Sequence, residues 1–570
     1  MAFLPVTREE MINNGWEQPD FVMITGDAYV DHPSFGHAII SRMLERRGYK
    51  IAVLPQPDWR SADDFRRFGR PRLGFLVTSG NVDSMVNHYS VFKRRRKHDS
   101  YSPGGKSGYR PDRAVIVYSN RAKEAFKGVP VIIGGIEASL RRLAHYDYWD
   151  DELRRSILLD SGADLLIYGM GEKAIIETAE ALDSGLKIAD VTWIPGTAYT
   201  KTISREKIDD EFPGHSIEVL PNWEEIVNSK KAYAESFKAQ YRNNNHFNGK
   251  LLVEMYGDET AVAINPPMAP VQGVDLDDIY DLPYEKDYHP MYKKDGGIPA
   301  IEEVKFSIVS NRGCYGGCAF CALAYHQGRE VRGRSADSIL KEAKALTKRR
   351  DFKGYIHDIG GPTANFRQPA CGKQLEFGVC NNKDCLYPDP CSQLIIDHKE
   401  YLDILKSVRK LPEVKKVFIR SGIRYDYLMA DEDHLEFLEE ICKHHVSGIL
   451  KVAPEHISPR VLARMRKPPK EVFEAFSKRY NETNEKLGKK QYLIPYLISS
   501  HPGSTLEDAL ELALYLNEKG FIPDQVQDFY PTPGTLSTCM YYTGIDPLTG
   551  EKVYVARGGE EKRLQRALLH

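Results

Sequence analysis

Short apolar runs alternate with amphipathic stretches along most of the chain. Residues 21–25 (Phe-Val-Met-Ile-Thr) form the first run, ending at Gly26-Asp27, and a helical pattern follows from Phe35 to Arg47. Further runs occupy 51–54, 73–77, 130–133 and 164–167, with helical stretches near 61–68, 113–127, 150–161 and 172–184. Runs of four to five apolar residues separated by amphipathic helices predict a parallel sheet covered on both faces. Five such units predict a doubly wound, flavodoxin-like domain over 1–199, with its ligand site beyond the strand C-termini.

Over 200–299 the pattern is less regular and reads as an extended connector, rich in Asn and Pro and then in Tyr and Asp. From 304 the alternation resumes on a larger scale. Strands are predicted at 304–309, 354–358, 415–419, 448–452, 492–498 and 522–527. Helices fall near 335–349, 396–410, 431–444, 470–487 and 505–519. Six strand-helix repeats joined by long crossovers predict a partial (β/α)6 barrel over 300–535, with a Cys-rich insertion at 366–395 and an extension over 536–570.

The chain has 570 residues, 42% hydrophobic and 28% charged, with a formal net charge of -2. That balance excludes a global field drawing it to nucleic acid or anionic lipid. No signal-peptide pattern opens it, and no apolar stretch reaches the roughly 20 residues that span a bilayer. The chain reads as cytoplasmic, with no membrane partner. The basic run 93–97 could grip phosphate-bearing substrate or RNA, or be a solvated loop.

Seven of nine cysteines fall between Cys314 and Cys391, a clustering that points to metal ligation rather than a disulfide framework. Cys314-Tyr-Gly-Gly-Cys318-Ala-Phe-Cys321 puts three thiolates on one tight loop. Thiolates are the usual ligands of iron–sulfur clusters. Three of them on a four-iron cube leave one iron open, and an open position makes a site reactive. A zinc loop would need partner ligands from elsewhere, and chance is the third reading. Cys371, Cys380, Cys385 and Cys391 suit a possible second metal: a structural zinc, an auxiliary cluster, or unligated thiols.

In a barrel, reactive groups sit on the loops after the strands. These loops carry the cysteines, Asp358-Ile-Gly360-Gly361-Pro362, Arg420-Ser421-Gly422-Ile-Arg424, Val452-Ala-Pro-Glu455-His456, Ser499-Ser-His501-Pro-Gly503 and Gln527-Asp528-Phe-Tyr530. They are expected to surround the cysteine loop. Tyr530, His456 and Asp528 are catalytic candidates by position alone, so the catalytic residues stay unknown.

The cysteine spacing, with Phe320 before the last thiol, resembles the radical S-adenosylmethionine (SAM) superfamily. The resemblance implies a [4Fe–4S] cluster on Cys314, Cys318 and Cys321, with SAM on the open iron and Phe320 near the adenine. It further implies reductive cleavage to a 5′-deoxyadenosyl radical acting on an unidentified substrate. Gly360-Gly361 resembles the superfamily's Gly-Gly-Glu element, with Pro362 in place of the acid. Ser421, Arg424 and Glu455 are then expected at the ribose hydroxyls and the carboxylate. Longer motifs extend the likeness to the YgiQ family of radical SAM proteins: Asp358-Ile-Gly-Gly-Pro-Thr-Ala-Asn, Leu450-Lys-Val-Ala-Pro-Glu-His, Ser499-Ser-His-Pro-Gly and Gln527-Asp-Phe-Tyr-Pro-Thr-Pro-Gly-Thr. Gly134-Gly-Ile-Glu carries it into the N-terminal domain, which resembles a cobalamin-binding type and leaves cobalamin open. Expected partners are SAM, a reductant protein and a substrate that is a small metabolite, an RNA or a protein. A methyl- or sulfur-transferase, or a non-catalytic iron–sulfur scaffold or sensor, is the alternative.

Overall fold

The computed structural model describes residues 2–521, 523 and 526–569. It divides into two compact units. One runs to Val271 and resumes over Asp278–Lys305; the other comprises Gln272–Asp277 and the chain from Phe306 onward.

In the first unit, β1 (Phe21–Thr25), β2 (Ile51–Pro55), β3 (Gly74–Thr78), β4 (Val131–Ile133) and β5 (Leu165–Ile167) lie in the spatial order β2-β1-β3-β4-β5, with every neighbouring pair parallel. That is the flavodoxin-like order, which reverses direction between β1 and β3. Both faces are covered, so the strands are apolar throughout rather than alternating. Val22 and Ile24 share one core with Phe75, Val77, Val131 and Ile133, facing Val115, Tyr118 and Ala122 of the helix Ala114–Ala125.

Residues 200–299 are more regular than their sequence pattern. The chain adds β6 (Thr197–Thr202), β7 (Ile217–Val219), β8 (Leu251–Tyr256) and β9 (Thr260–Ile264), and they extend the same sheet to nine strands among the described residues. The strands β8 and β9 form a hairpin that turns at Gly257, whose φ is +66°. The outer half of β6 is largely solvent-facing Thr-Lys-Thr, which hides its strand character.

The basic run is solvent-exposed and tethered locally. Lys93 donates to the Trp149 carbonyl at 3.0 Å, Arg96 donates to the Tyr89 carbonyl at 3.3 Å, and Arg95 lies over the Tyr89 ring.

The second unit holds β10 (Ser307–Val309), β11 (Tyr355–Ile356), β12 (Asp358–Gly360), β13 (Lys416–Val417), β14 (Ile449–Glu455), β15 (Tyr492–Ser499) and β16 (Val526–Asp528). The pairs β10-β12, β11-β13, β14-β15 and β15-β16 are all parallel. The predicted second barrel strand is thus broken at His357 into β11 and β12. Of the predicted sixth strand, 522–527, residues 522, 524 and 525 lie outside the described residues. Helices Ala336–Thr347, Lys399–Arg409, Lys470–Lys486 and Leu506–Glu518 occupy the predicted crossovers. The apolar faces of the first three supply Ile339, Leu346, Tyr401, Leu405, Phe473 and Phe476 to a core that includes Ile308, Ile356, Val417 and Val452, and the fourth packs Leu512 and Leu516 with Leu497 and Val526. Among the described residues no helix is long and apolar enough to cross a membrane.

Candidate active site

The cysteine loop leaves β10 and is closed by its own backbone. Asn311–Arg312 pair antiparallel with Arg332–Gly333, and the Cys314 N–H donates to the Gly328 carbonyl at 3.1 Å. Gly313 has φ +79°, and a Cβ there would lie 1.9 Å from the Glu330 carbonyl oxygen, so only glycine fits.

The three thiols act on one another. Burial pushes Cys321 up to about 12, and the neighbouring Cys318 and Cys314 add to it, against N–H groups of Leu323 and Ala324. Cys314 is also raised, by burial first and by Cys318 second, with the Gly316 N–H, Arg424 and Thr363 opposing. The Gly316 N–H reaches Cys314 Sγ at 3.4 Å, and Arg424 Nη1 reaches Cys318 Sγ at 3.1 Å. None of the three is in a disulfide. Among the described residues no three His, Cys, Asp or Glu side chains gather to hold a single ion. Three thiols on one loop are a donor set that suits an iron–sulfur cluster, which would draw their protons off as it binds.

Loops from all six barrel strands meet around these thiols. Cys314 Sγ lies 3.8 Å from Thr363 Oγ1 after the second strand, and Arg424 after the third touches Cys318. Arg424 and the buried Lys467 both pull on Glu455 after the fourth. The Phe320 ring meets His501 after the fifth edge-on at 6.1 Å, and His501 meets Phe529 after the sixth at 5.1 Å.

The predicted rim residues are placed as follows. A Cβ on Gly360 would lie 1.7 Å from Ser421 Oγ, and one on Gly361 would lie 2.4 Å from the Asn311 carbonyl oxygen. The Gly360 carbonyl already accepts from the Ser310 N–H at 2.6 Å. Ser421 donates its hydroxyl to Asp358 Oδ2 at 2.5 Å, and Asp358 also accepts from the Arg420 and Ser421 N–H groups. Arg424, expected among ribose and carboxylate contacts, has three bonds inside the protein: Nε and Nη2 form a fork on Asp426 at 2.6 and 3.0 Å, and Nη1 holds the Cys318 sulfur. Glu455 sits where the β14-β15 register shifts, with φ +70°. It is 9% exposed, and burial raises it to about 6 against the pull of Lys467 and Arg424. A buried carboxyl on strained backbone at a barrel mouth is a mark of function.

Four contributors carry little sequence signal. Asp358 organises the third loop. Asn365 accepts from the Arg424 N–H at 2.8 Å and donates to its carbonyl at 3.2 Å, so it fixes that residue's backbone. Ser500 (φ +58°) buries an Oγ with no hydrogen-bond partner among the described residues. Ser537, on the helix Leu536–Thr543, donates its N–H to the Ala319 carbonyl at 3.0 Å, and its Oγ lies 2.6 Å from His501 Nε2. Asp358 and Asn365 lie within the strand-two motif and Ser500 within the turn marked beforehand, though without these roles; Ser537 was not marked.

The positional candidates are held by structure. His456 is buried, lowered to about 4 by burial, and its Nδ1 accepts from the Ser458 N–H. Asp528 is tied to Ser499 at 2.8 Å and to Arg566 at 2.6 Å. Tyr530 remains half-buried. In the second cysteine group, Cys371 and Cys380 act on Cys385, while Cys391 is set by the Gln393 N–H.

Comparison with known proteins agrees with this geometry. Residues 308–516 match the family described as Radical SAM superfamily, 3–307 match Radical SAM N-terminal, and 524–570 match a domain of unknown function (DUF3362). A UPF0313 protein of Clostridium botulinum is 58% identical over 569 residues, covering 100% of this chain and 88% of the relative. The chain belongs to the UPF0313 family of radical SAM proteins. A Clostridium perfringens member is likewise 58% identical, with 84% of its length covered. At the level of fold, a radical SAM methyltransferase, TsrM, from Kitasatospora setae, solved with tryptophan and a SAM analogue, is 13% identical with a TM-score of 0.52, covering 96% of this chain and 89% of that one. This UPF0313 member is thus a radical SAM enzyme with a [4Fe–4S] cluster and SAM as cofactors, acting on a substrate yet to be identified. When bound, the reduced cluster supplies the electron that cleaves SAM to a 5′-deoxyadenosyl radical.

Proposed function

We propose that Cys314, Cys318 and Cys321 hold the cluster, and that SAM lies on the rim formed by Gly360, Gly361, Ser421, Glu455 and Phe320. The observation that carries this reading is the side-chain chain of contact from the thiols through Thr363, Arg424 and Phe320 to the strand-end loops. The two glycines keep side chains away from the mouth, where Ser421 and Asn311 already fill the space behind them. Glu455 supplies a carboxylate for the ribose hydroxyls or the amino group. Arg424 has the different role of a fixed cation beside Cys318, which offsets negative charge at the cluster.

The motifs after the strands support placing the chain with YgiQ-type proteins. The nine free thiols suit a reducing compartment such as the cytoplasm, and the electron calls for a separate reductant protein. Among substrates, a small molecule is favoured over RNA, because Lys93, Arg95 and Arg96 are engaged by Trp149 and Tyr89.

Cobalamin, which another solved TsrM structure contains, does not fit the first unit. A doubly wound sheet binds its ligand at the switch point, here the ends of β1 and β3. That crevice is filled by the chain itself. The fully buried Arg110 pairs with Asp27 at 2.9 Å and with Asp99 at 3.4 Å, and donates to the Ser79 carbonyl at 2.7 Å. A Cβ on Gly26 would lie 2.2 Å from the Ser79 carbonyl oxygen and 3.1 Å from Arg110 Cδ.

Electron paramagnetic resonance on anaerobically reconstituted, reduced protein tests the site. A cubane signal should change when SAM is added, and Cys318→Ala should lose that SAM-dependent change. A signal indifferent to SAM contradicts the reading.

A further inference from the structure

The insertion at 366–395 contains four free cysteines that the site above does not use. Its packing is better built than a surface loop requires. Gln374 accepts from the Ala370 N–H at 2.9 Å and approaches Cys385 Sγ at 3.9 Å, which links the start of the loop to its third cysteine. The Cys391 N–H donates to the Cys385 carbonyl at 2.9 Å, and the Ile395 N–H to the Ala370 carbonyl at 2.8 Å. These bonds close the insertion on itself and hold Cys385 against Gln374 and Cys391, within the 21 residues that carry the four cysteines.

One wall is apolar. Tyr315 stacks on Phe366 at 3.9 Å, Tyr427 closes edge-on, and Leu386 and Val331 complete a buried cluster against which both Cys314 and Cys385 pack. The other wall is cationic. Arg329, 6% exposed, donates to the carbonyls of Cys380 and Lys383 at 3.2 and 2.9 Å and pairs with Asp384 at 2.9 Å. Arg466 pairs with the same Asp384 carboxylate. Two guanidinium groups thus share one carboxylate, leaving a net positive charge beside the thiols. The Arg329 Nε is buried without a hydrogen-bond partner among the described residues. An unpaired buried donor costs about 1–3 kcal/mol, so something negative is expected to answer it.

We propose that Cys371, Cys380, Cys385 and Cys391 hold a second iron–sulfur cluster, sharing the Tyr315 aromatic wall with the Cys314–Cys321 loop. Four thiolates are the standard ligand set of such clusters, and burial with N–H donors toward the sulfurs tunes them. Gln374 reaches the Cys385 sulfur, Arg329 holds the Cys380 carbonyl, and the Cys391 N–H holds the Cys385 carbonyl, so the loop brings three of the four positions under common restraint.

The inference is separable from the first cluster. In the full-length C314A/C318A/C321A variant, reconstituted anaerobically with iron and sulfide, iron and acid-labile sulfide should remain in roughly one-to-one ratio, with the broad visible absorption of a cluster. In C371A/C380A/C385A about half of the wild-type iron should be lost, and the SAM-responsive signal should persist. Mössbauer spectra of wild type should resolve two sets of irons. Far-UV circular dichroism of each variant checks the fold, and the wild-type spectrum decides the matter if either fails to fold. A wild-type protein with one set of irons, or stoichiometric zinc without sulfide in the first variant, overturns the proposal. Loss of SAM response with two clusters present would instead contradict the site proposed above.

Discussion

Replacing Glu455 with Gln should stabilise the apoprotein and weaken SAM binding at the same time. The side chains are isosteric, so the cost of φ +70° is common to both and cancels. What differs is charge. Burial raises the carboxyl from its ordinary 4.5 to about 6, a shift of about 1.5 units, or about 2 kcal/mol. For an acid raised on folding, the native state holds its proton longer than the unfolded chain. Stability therefore falls as pH rises from about 4.5 to about 6, and the full penalty persists above that. Glu455→Gln should match wild type at pH 4 and exceed it by about 2 kcal/mol at pH 8. All five tryptophans lie at or before Trp223, so their fluorescence does not report on this unit. Hydrogen exchange of peptides spanning 449–455 and 492–499, compared at each pH, does. Loss of a charge-assisted hydrogen bond of about 1.5–3 kcal/mol should also weaken SAM affinity by roughly 10- to 100-fold. A variant less stable than wild type at pH 8, or one equally shifted at both pH values, refutes the burial argument. Unchanged SAM affinity refutes the assignment of Glu455 to the rim.

Gly360→Ala should cost about 1–3 kcal/mol from overpacking against Ser421, lower the melting temperature, and abolish detectable SAM binding in equilibrium dialysis. Arg110→Ala leaves Asp27 and Asp99 buried without their cation, so it should destabilise the first unit by about 3–5 kcal/mol, seen as a lower urea midpoint in tryptophan fluorescence. Wild-type protein passed over a desalting column with hydroxocobalamin should emerge without the corrinoid; retention of one corrin per chain would contradict the filled crevice.

Much of the architecture was legible because the pattern of apolar runs is strong. The five parallel strands, and the crossover helices of the barrel, lie where uninterrupted runs and amphipathic stretches placed them. The second half of the sheet was obscured. The β6 strand ends in exposed Thr-Lys-Thr, and the β8-β9 hairpin sits amid loop-rich sequence although Gly257-Asp258 between two apolar runs carried a turn signal. At the site, the cysteines and Gly360-Gly361 could be read because their chemistry is local. The roles of Asp358 and Asn365, which sit inside a marked motif, and of Ser537, which was unmarked, could not, since each acts through a partner 36 to 63 residues away. Arg424 shows the limit most clearly: its type announced an anion partner, and only the fold reveals that the partners are Asp426 and a thiol.

The most direct measurement is quantification of 5′-deoxyadenosine after dithionite-reduced, reconstituted protein is incubated with SAM. The account predicts product from wild type and from C371A/C380A/C385A, and none from C314A/C318A/C321A. Product that survives loss of the first three cysteines, or wild type that yields none while carrying a reduced cubane, would contradict it.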